Sequence, residues 1–268
     1  MTDWLTVERG DVPLIVSVPH AGTDIPKDIA ARLASVDLAR KDADFYVDRL
    51  YAFAGDLGAT VVRTAISRSV IDVNRDPSGR SLYPGQAVTG LCPLTTFDGE
   101  ALYRTTQDPG GPEIYRRREA YFAPYHAAIA AEIARLRSLH DSVVLYDAHS
   151  IRSHVARLFD GKLPQFNIGT NDGQSCALAL TRAVENISDA GGRSRVTDGR
   201  FKGGWITRHY GRPDEGVHAI QMELAIRGYA DEQSAGWPPR WDADYAAPLQ
   251  QTLRDILIGC LDFAKESA

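Results

Sequence analysis

The chain has 268 residues, of which 44% are hydrophobic and 24% are charged, a composition typical of a globular protein with one large α/β domain. Its formal net charge of −5 argues against a nucleic-acid partner, which would need a basic face. The three widely spaced cysteines do not form a disulfide or CxxC pattern, and no apolar run approaches ~18 residues. We therefore expect one domain over residues 1–268, in a reducing cytoplasm and away from membranes.

An apolar strand over residues 12–18 is the first predicted element, and a histidine follows shortly after it. His20 stands in the sequence Pro-His-Ala-Gly-Thr-Asp-Ile-Pro. By itself it is as readily a turn residue between two prolines as a functional group. A second histidine at the end of another central strand would favour function, since ligands bind at the carboxyl ends of strands in open α/β sheets.

Two amphipathic helices are predicted between residues 27 and 57, the second ending at Gly58. Asp42 and Asp44 lie near the start of the second helix, where carboxylates satisfy exposed amides and interact well with the helix dipole. Capping accounts for Asp42. Asp44 stays open as a metal ligand, because an anionic oxygen with two imidazoles is a common catalytic zinc set.

A strand over residues 59–63 leads to the sequence Ile-Ser-Arg-Ser-Val-Ile-Asp-Val-Asn-Arg, which carries Arg68, Asn74 and Arg75. Arginine suits carboxylate ligands because its planar fork donates two parallel hydrogen bonds. Most single arginines form surface ion pairs, but a strand edge that also carries asparagine and aspartate favours binding. Residues 77–112 are dense in turn formers, which predicts a functional lid or a set of short hairpins.

The clearest predicted helix covers residues 113–139 and delivers the chain to a buried strand over residues 143–146. Ionisable side chains follow this strand, among them Asp147, His149 and Arg152. His149 has three interpretations: a metal ligand, a general base, or a structural histidine bonded to Asp147. The alternation of strand, helix and strand predicts a mostly parallel sheet.

Two later segments carry further candidates. Residues 199–213 combine four glycines with several cations in an acidic protein, which favours a loop that binds an acidic substrate. Its cations are Arg200, Lys202, Arg208 and Arg212, with His209 when protonated. Residues 217–225 have the pattern of a strand in which Gln221 and Glu223 share one face. A carboxylate inside an apolar strand is costly unless it is used or paired, so Glu223 is a candidate functional group.

Five motifs, in order between residues 12 and 232, together resemble the N-formylglutamate amidohydrolases, also called N-formylglutamate deformylases. The motifs are Pro19–Thr23, Ser67–Arg68 with Ile71–Arg75, Tyr146–Ser153, Gly199–Pro213 and Gln221–Ala225. That family is similar in turn to the zinc carboxypeptidases and related zinc deacylases. The resemblance implies a three-layer α/β/α fold with a mixed, largely parallel sheet, as in the zinc carboxypeptidases.

The resemblance also implies roles for individual residues. His20 and His149 match the zinc-binding histidines of the carboxypeptidases, and Glu223 matches their catalytic glutamate. Arg68 resembles their oxyanion-stabilising arginine, and the pair Asn74-Arg75 resembles the pair that holds the substrate carboxylate.

The third metal ligand is where this chain departs from the carboxypeptidases. They place a glutamate three residues after the first histidine, and here that position is Thr23. Asp44 matches the acidic motif of the deformylases and is therefore the expected ligand. Asp24 is the alternative.

The reaction that the resemblance implies is hydrolysis of N-formyl-L-glutamate to formate and L-glutamate, the last step of a histidine degradation route. Zinc held by His20, Asp44 and His149 would lower the pKa of a bound water toward ~7. Glu223 would take the water proton and return it to the leaving nitrogen.

The two carboxylates of such a substrate account for the excess of cations. Asn74 and Arg75 would bind one of them, and Arg152, Arg208 or Arg212 would bind the other. Two alternatives remain at this stage: an enzyme that removes a larger acyl group or a C-terminal residue, and a metal-free protein that binds small dicarboxylates.

Overall fold

A single seven-stranded sheet organises the computed structural model, which describes residues 4–234 and 236–266. Its strands are β1 (Leu5–Glu8), β2 (Leu14–Val18), β3 (Thr60–Thr64), β4 (Val143–Ile151), β5 (Phe166–Gly169), β6 (Arg195–Thr197) and β7 (Val217–Ala225). They lie in the order β1-β3-β2-β4-β7-β5-β6. The four central strands are mutually parallel, whereas β1 and β5 run antiparallel to β3 and β7. The predicted mixed, largely parallel sheet is confirmed.

Eight helices surround this sheet in the part of the chain that the structure describes. They are α1 (Lys27–Ala30), α2 (Val36–Arg40), α3 (Val47–Leu50), α4 (Gly111–Arg117), α5 (Ala123–Arg137), α6 (Leu178–Ala190), α7 (Trp205–Tyr210) and α8 (Ala243–Glu266). Short 3-10 segments cover Ala52–Leu57, Pro213–Glu215 and Ile226–Gly228, and a π-helical turn covers Arg118–Phe122.

Apolar side chains on both faces of the central strands make the fold three-layered. On one face the odd-numbered residues Ile15 and Leu145 pack against Ile129 of α5. On the other face Val16 and Tyr146 belong to the same cluster as α6 and α8. All nine residues of β4 and all nine of β7 are buried, as expected for strands covered on both sides. Each fully buried aliphatic side chain contributes about 1.5–3 kcal/mol, so these layers supply much of the stability.

Strand β4 is longer than the predicted strand over residues 143–146, so polar residues that were expected after the strand lie within it. It continues to Ile151, so His149 and Ser150 are inside the strand rather than after it. The extension forms because β7 runs alongside in register from Val143 to Ile151 and supplies hydrogen-bond partners. His149 and Ser150 consequently point to opposite faces of the sheet.

The helices differ from the prediction in their continuity. The helix predicted over residues 113–139 is divided into α4, a π-helical turn and α5. The two helices predicted over residues 27–57 are replaced by three short helices and a 3-10 segment, because the backbone between them turns inward to place Asp44. Residues 199–213, predicted as a loop, contain α7. Strands β1 and β6 were not predicted.

Two further expectations concern the membrane and the cysteines. Among the described residues, none of the helices is both long and apolar enough to cross a membrane. Cys92, Cys176 and Cys260 are buried free thiols.

Candidate active site

The carboxyl ends of the parallel strands bring three predicted site residues to one edge of the sheet. His20 lies two residues beyond β2, His149 lies in β4, and Glu223 is the Cα partner of His149 in β7. Asp147 lies on the same face as His149, because alternate residues of a strand share a face. Residues far apart in sequence therefore converge where open α/β sheets bind ligands.

His20, Asp44 and His149 form what we call the metal cluster. All three are buried, and their ligand atoms lie within 4.8 Å of one another. Nδ1 of His149 is 3.1 Å from Oδ2 of Asp44, and Nδ1 of His20 is 3.7 Å from the same oxygen. Zinc bonds of ~2.0–2.1 Å in a tetrahedral site separate neighbouring ligand atoms by about 3.3 Å. The two distances to Asp44 are therefore within a few tenths of an ångström of those expected when the ligands share one ion.

Each imidazole of the metal cluster is held from behind by a second buried carboxylate. Nε2 of His20 lies 2.8 Å from Oδ1 of Asp72, and Nε2 of His149 lies 2.8 Å from Oδ2 of Asp147. Since a carboxylate accepts a hydrogen bond, these contacts place a proton on each Nε2 and turn each Nδ1 toward Asp44. Carboxylate–histidine pairs of this kind orient the imidazoles that bind metals.

Backbone groups hold Asp44 between the two histidines. Its amide donates to the carbonyl of His20 at 3.0 Å, and its Oδ2 accepts the amide of Ser150 at 3.1 Å. The alternative ligand, Asp24, is exposed and forms a backbone bridge with Ile66. It is not part of the cluster. Of the two aspartates that the sequence left open, Asp44 is the one that lies between the histidines.

The protonation of the two histidines suits a cation. Among the described residues, Nδ1 of His20 is buried without a hydrogen-bond partner, a state that costs about 1–3 kcal/mol. Burial, followed by the charge of Arg68, lowers the pKa of His20, so the ring is neutral and its lone pair is available. Burial opposes protonation of His149 as well, but Asp147 and Asp44 outweigh it and raise its pKa well above the usual value. The positive charge that this position favours, together with the two imidazoles and one carboxylate, fits a divalent metal such as zinc.

A guanidinium lies beside the metal cluster. Nη2 of Arg68 donates to Oδ2 of Asp72 at 2.7 Å, and Nη1 donates to Oδ1 of Asp44 at 3.3 Å. Although burial raises the pKa of Asp72, neighbouring cations, Arg75 first, hold it well below the usual value. The ring of Phe97 covers the guanidinium, 4.8 Å from Cζ. Arg68 is thus a fixed cation of the kind that stabilises a developing oxyanion.

Glu223 is a buried carboxylate on the pocket wall. Burial raises its pKa to about 8, while the charge of His149 lowers it. A divalent cation in the metal cluster would lower this pKa further, toward the neutral range in which a general base works best.

The site opens into a pocket of about 560 Å³, including its mouth. Beyond the strands, it is lined by Tyr83, Ala87, Val88, Thr89, Arg200 and Phe201, which we call the outer wall. The turn-rich segment predicted as a lid or hairpins thus supplies part of the wall.

Asn74 lines the pocket, yet its amide is engaged inside the protein. Nδ2 donates to Oδ2 of Asp147 at 3.0 Å, and Oδ1 accepts the amide of Ile206 at 2.8 Å. A Cβ at Gly204 would lie 2.4 Å from Nδ2 of Asn74, so only glycine fits there. Asn74 therefore joins the carboxylate behind His149 to the start of α7.

Arg75 also lines the pocket and keeps part of its guanidinium available. Nε donates to the carbonyl of Thr89 at 3.1 Å, and Nη2 donates to the Thr89 hydroxyl at 3.2 Å. Asp72 lies 3.5 Å from Nη2 and balances its charge. The side chain is 21% exposed, so a ligand can reach it.

Arg152, which was predicted to contact the substrate, is not among the residues that line the pocket. It forms ion pairs of 3.0 Å with Asp42 and 2.8 Å with Asp98. Asp42 also accepts the amide of Phe97 at 2.6 Å instead of capping a helix. These long-range contacts hold Arg152 on the outer side of the turn that carries Phe97.

The two other predicted substrate arginines are not pocket-lining residues either. Nε of Arg208 donates to the carbonyl of Gly203 at 2.9 Å, and its guanidinium lies over the ring of Tyr83. Arg212 is exposed and donates to the carbonyls of Arg208 and Gly211. Arg208 lies in α7, which forms where an open loop was predicted, and Arg212 follows the end of this helix.

The sequence interpretation assigned no role to Asp72, named Asp147 only as a possible partner of His149, and named Arg200 only as one cation of a loop that binds an acidic substrate. Asp72 and Asp147 support the two histidines, and Arg200 lines the pocket. Asp72 stands inside the motif Ile71–Arg75. A carboxylate between apolar neighbours was the sequence feature that could have indicated its role. In the sequence, Arg200 could not be distinguished from the other cations of residues 199–213.

Comparisons with known proteins identify the family. The family profile of N-formylglutamate amidohydrolase matches residues 12–230. Proteins of Pseudomonas aeruginosa and Pseudomonas putida, both named N-formylglutamate deformylase, are 45% and 43% identical over 267 residues, covering 99% of this chain and 99% and 98% of the relatives. A crystal structure of N-formylglutamate amidohydrolase from Ralstonia eutropha has the same fold, with a TM-score of 0.81 at 22% identity over 99% of both chains. The chain therefore belongs to the N-formylglutamate amidohydrolase family and is an amidohydrolase enzyme.

Proposed function

We propose that the protein hydrolyses N-formyl-L-glutamate to formate and L-glutamate with the help of a divalent metal. The observation that carries the proposal is the convergence of His20, Asp44 and His149 beside Glu223 and Arg68 in one pocket. The names of the relatives supply the substrate. The place in histidine degradation that the family resemblance implies is part of the same proposal.

The metal cluster would hold the ion through Nδ1 of His20, Nδ1 of His149 and one oxygen of Asp44. When bound, zinc would polarise the formyl carbonyl and make water more acidic. Asp72 and Asp147 would keep both imidazoles in the tautomer that presents Nδ1.

Glu223 is the group that moves the proton. It takes the proton from water as the water oxygen bonds to the formyl carbon. As the C–N bond breaks, Glu223 returns the proton to the leaving nitrogen, so that formate and the amine of glutamate result. Its place opposite His149 in adjacent strands keeps the carboxylate beside the metal cluster.

Arg68 stabilises the negative charge that develops on the carbonyl oxygen. Its guanidinium is fixed by Asp44 and Asp72, so little reorganisation is needed as the charge forms. Loss of such a donor typically slows the chemical step on the order of 100- to 1,000-fold.

Arg75 binds one substrate carboxylate, and Asn74 has a supporting role. The guanidinium of Arg75 is partly exposed in the pocket, and its charge suits binding of a carboxylate. The amide of Asn74 is bonded to Asp147 and Ile206, so we assign it to the support of His149 instead of substrate contact.

Release of formate tests the proposed substrate. The purified protein is given N-formylglutamate, N-acetylglutamate and N-formylaspartate in parallel, and formate, acetate and free amino acid are measured. We expect turnover of N-formylglutamate alone. Equal cleavage of N-acetylglutamate would instead indicate a broader deacylase, and binding without any product would indicate a dicarboxylate-binding protein.

A further inference from the structure

Three guanidiniums line the pocket, and they differ in their partners. Arg68 is neutralised by Asp44 and Asp72, and Arg75 lies 3.5 Å from Asp72. Within residues 4–234 and 236–266, no carboxylate lies within 4.0 Å of the guanidinium of Arg200. Arg200 is therefore the pocket cation that still lacks an anionic partner.

Two backbone carbonyls fix the orientation of Arg200. Nε donates to Leu158 at 2.7 Å, and Nη2 donates to Ala87 at 2.8 Å. No acceptor in the described part of the chain takes a hydrogen bond from Nη1. Because the two carbonyls carry no net charge, they position the guanidinium without neutralising it.

Aromatic rings complete the setting of Arg200. Its Cζ lies 5.3 Å from the ring centroid of Tyr83 and 5.4 Å from that of Phe201. The hydroxyl of Tyr83 donates to the carbonyl of Gly203 at 2.9 Å, so the ring is itself fixed. Rings on the guanidinium favour the charged form and exclude water, which strengthens binding of an anion.

Arg75 and Arg200 give the pocket two separate cationic positions. Burial lowers the pKa of Arg200 most, and the charge of Arg75 lowers it further, whereas Glu223 raises it. All three side chains line the same cavity. Two cations in one pocket with Glu223 match a substrate with two carboxylates, both of which belong to the glutamate that leaves as the amine.

We propose that Arg200 is the specificity-determining residue that binds the side-chain carboxylate of the substrate, while Arg75 binds the other carboxylate. The inference rests on the proposed function, because it takes N-formylglutamate as the substrate. It replaces Arg152, Arg208 and Arg212, the arginines that the sequence suggested for this carboxylate.

The test compares N-formylglutamate with N-formylglutamine, which replaces the side-chain carboxylate by a neutral amide. The ratio of kcat/KM for these two substrates is measured in the wild type and in Arg200→Gln. We expect the variant to lose the preference for N-formylglutamate by roughly 10- to 100-fold, the usual worth of a hydrogen bond to a charged group. Arg200→Lys should retain part of the preference, because it keeps the charge but not the fork. The ratio does not depend on the fraction of folded enzyme.

Arg208→Gln is the matched control, since Arg208 stacks on the same ring of Tyr83 and is not a pocket-lining residue. Its substrate ratio should stay within about threefold of the wild type, which is less than the worth of one hydrogen bond. An unchanged ratio in Arg200→Gln, or an equal loss in Arg208→Gln, would overturn the proposal.

Failure of the proposed function gives a different result. In that case the wild type releases no formate from either compound. Calorimetric titration with the same two compounds then decides the role of Arg200. The role is supported if the wild type binds N-formylglutamate more tightly than N-formylglutamine and Arg200→Gln does not. It is contradicted if both proteins show the same preference.

Discussion

The metal cluster and the outer wall of the pocket are held in place by different means. In the metal cluster, residues of or next to β2 and β4 are bonded to buried carboxylates, and each histidine has its own partner. In the outer wall, Tyr83 and Arg200 are held by hydrogen bonds to backbone groups of other loops. The comparison indicates that the metal cluster is placed by hydrogen bonds to buried carboxylates, whereas the outer wall is placed by backbone contacts between loops. We expect such loops to vary without disturbing the cluster.

The largest expected effect on activity comes from a change beside the metal cluster. Glu223→Gln removes the proton acceptor and keeps the shape of the side chain. We expect kcat for formate release to fall roughly 100- to 10,000-fold, the range for loss of a general base. Metal content, measured on the same sample, should be unchanged. Activity within about tenfold of the wild type would remove Glu223 as the base.

A pH-dependent effect on stability comes from behind the site, where His126 joins Val73 to Tyr210. Burial lowers the pKa of His126 from 6.5 to about 4, although the Val73 carbonyl raises it. Between pH 6.5 and 4 the unfolded chain therefore binds a proton that the folded chain does not, so stability falls as the pH falls through this window. The loss amounts to about 3 kcal/mol at ~1.36 kcal/mol per unit.

The variant His126→Gln isolates that contribution. Free energies of unfolding are measured by urea titration for both proteins at several pH values between 4 and 7. We expect the wild type to lose about 3 kcal/mol more than the variant over this range. Parallel curves would show that His126 titrates alike in both states.

The next largest effect is expected on metal affinity, when the support of a metal ligand is removed. Asp147→Asn removes the negative charge behind His149, and affinity for zinc should fall roughly 10- to 100-fold. Asp42→Asn is the control, because Asp42 is partly buried and is bonded to Arg152 and Phe97 instead of a histidine. Competition with a chelator of known affinity measures both variants. An equal loss in the two would mean that the carboxylate behind His149 has no special role.

The smallest effect is expected in the outer wall. Tyr83→Phe removes the hydroxyl that bonds Lys202 and Gly203 but keeps the ring beside Arg200. Loss of ~1 kcal/mol of hydrogen bonding should raise KM for N-formylglutamate about three- to tenfold, with kcat nearly unchanged. A fall in kcat or in zinc content comparable to that of the cluster variants would remove the distinction between the two regions.

The difference between the metal cluster and the outer wall also explains how far the sequence predicts the site. His149 and Glu223 lie on apolar strands whose period of two and pairing follow from local pattern, so their convergence was predictable. Arg200 is placed by carbonyls 42 and 113 residues away, and Arg152 by an aspartate 110 residues away. Such long-range contacts leave no local pattern, so the sequence could not show that Arg200 lines the pocket and that Arg152 does not.

The periodicity of the sequence also predicted longer helices than the structure contains. Residues 27–57 have helical spacing, yet the amide of Asp44 must reach the carbonyl of His20 at 3.0 Å. That contact interrupts the helix and delivers the carboxylate to the metal cluster. Tertiary hydrogen bonding overrides local propensity where the site requires it.

Metal dependence is the most direct test of the account. Formate release from N-formylglutamate is measured on the purified protein, after removal of metal by a chelator, and after return of zinc in known amounts. We predict that activity disappears with the metal and returns in proportion to zinc until one ion is bound per chain. Full activity in protein shown to be free of metal would contradict the assignment of His20, Asp44 and His149.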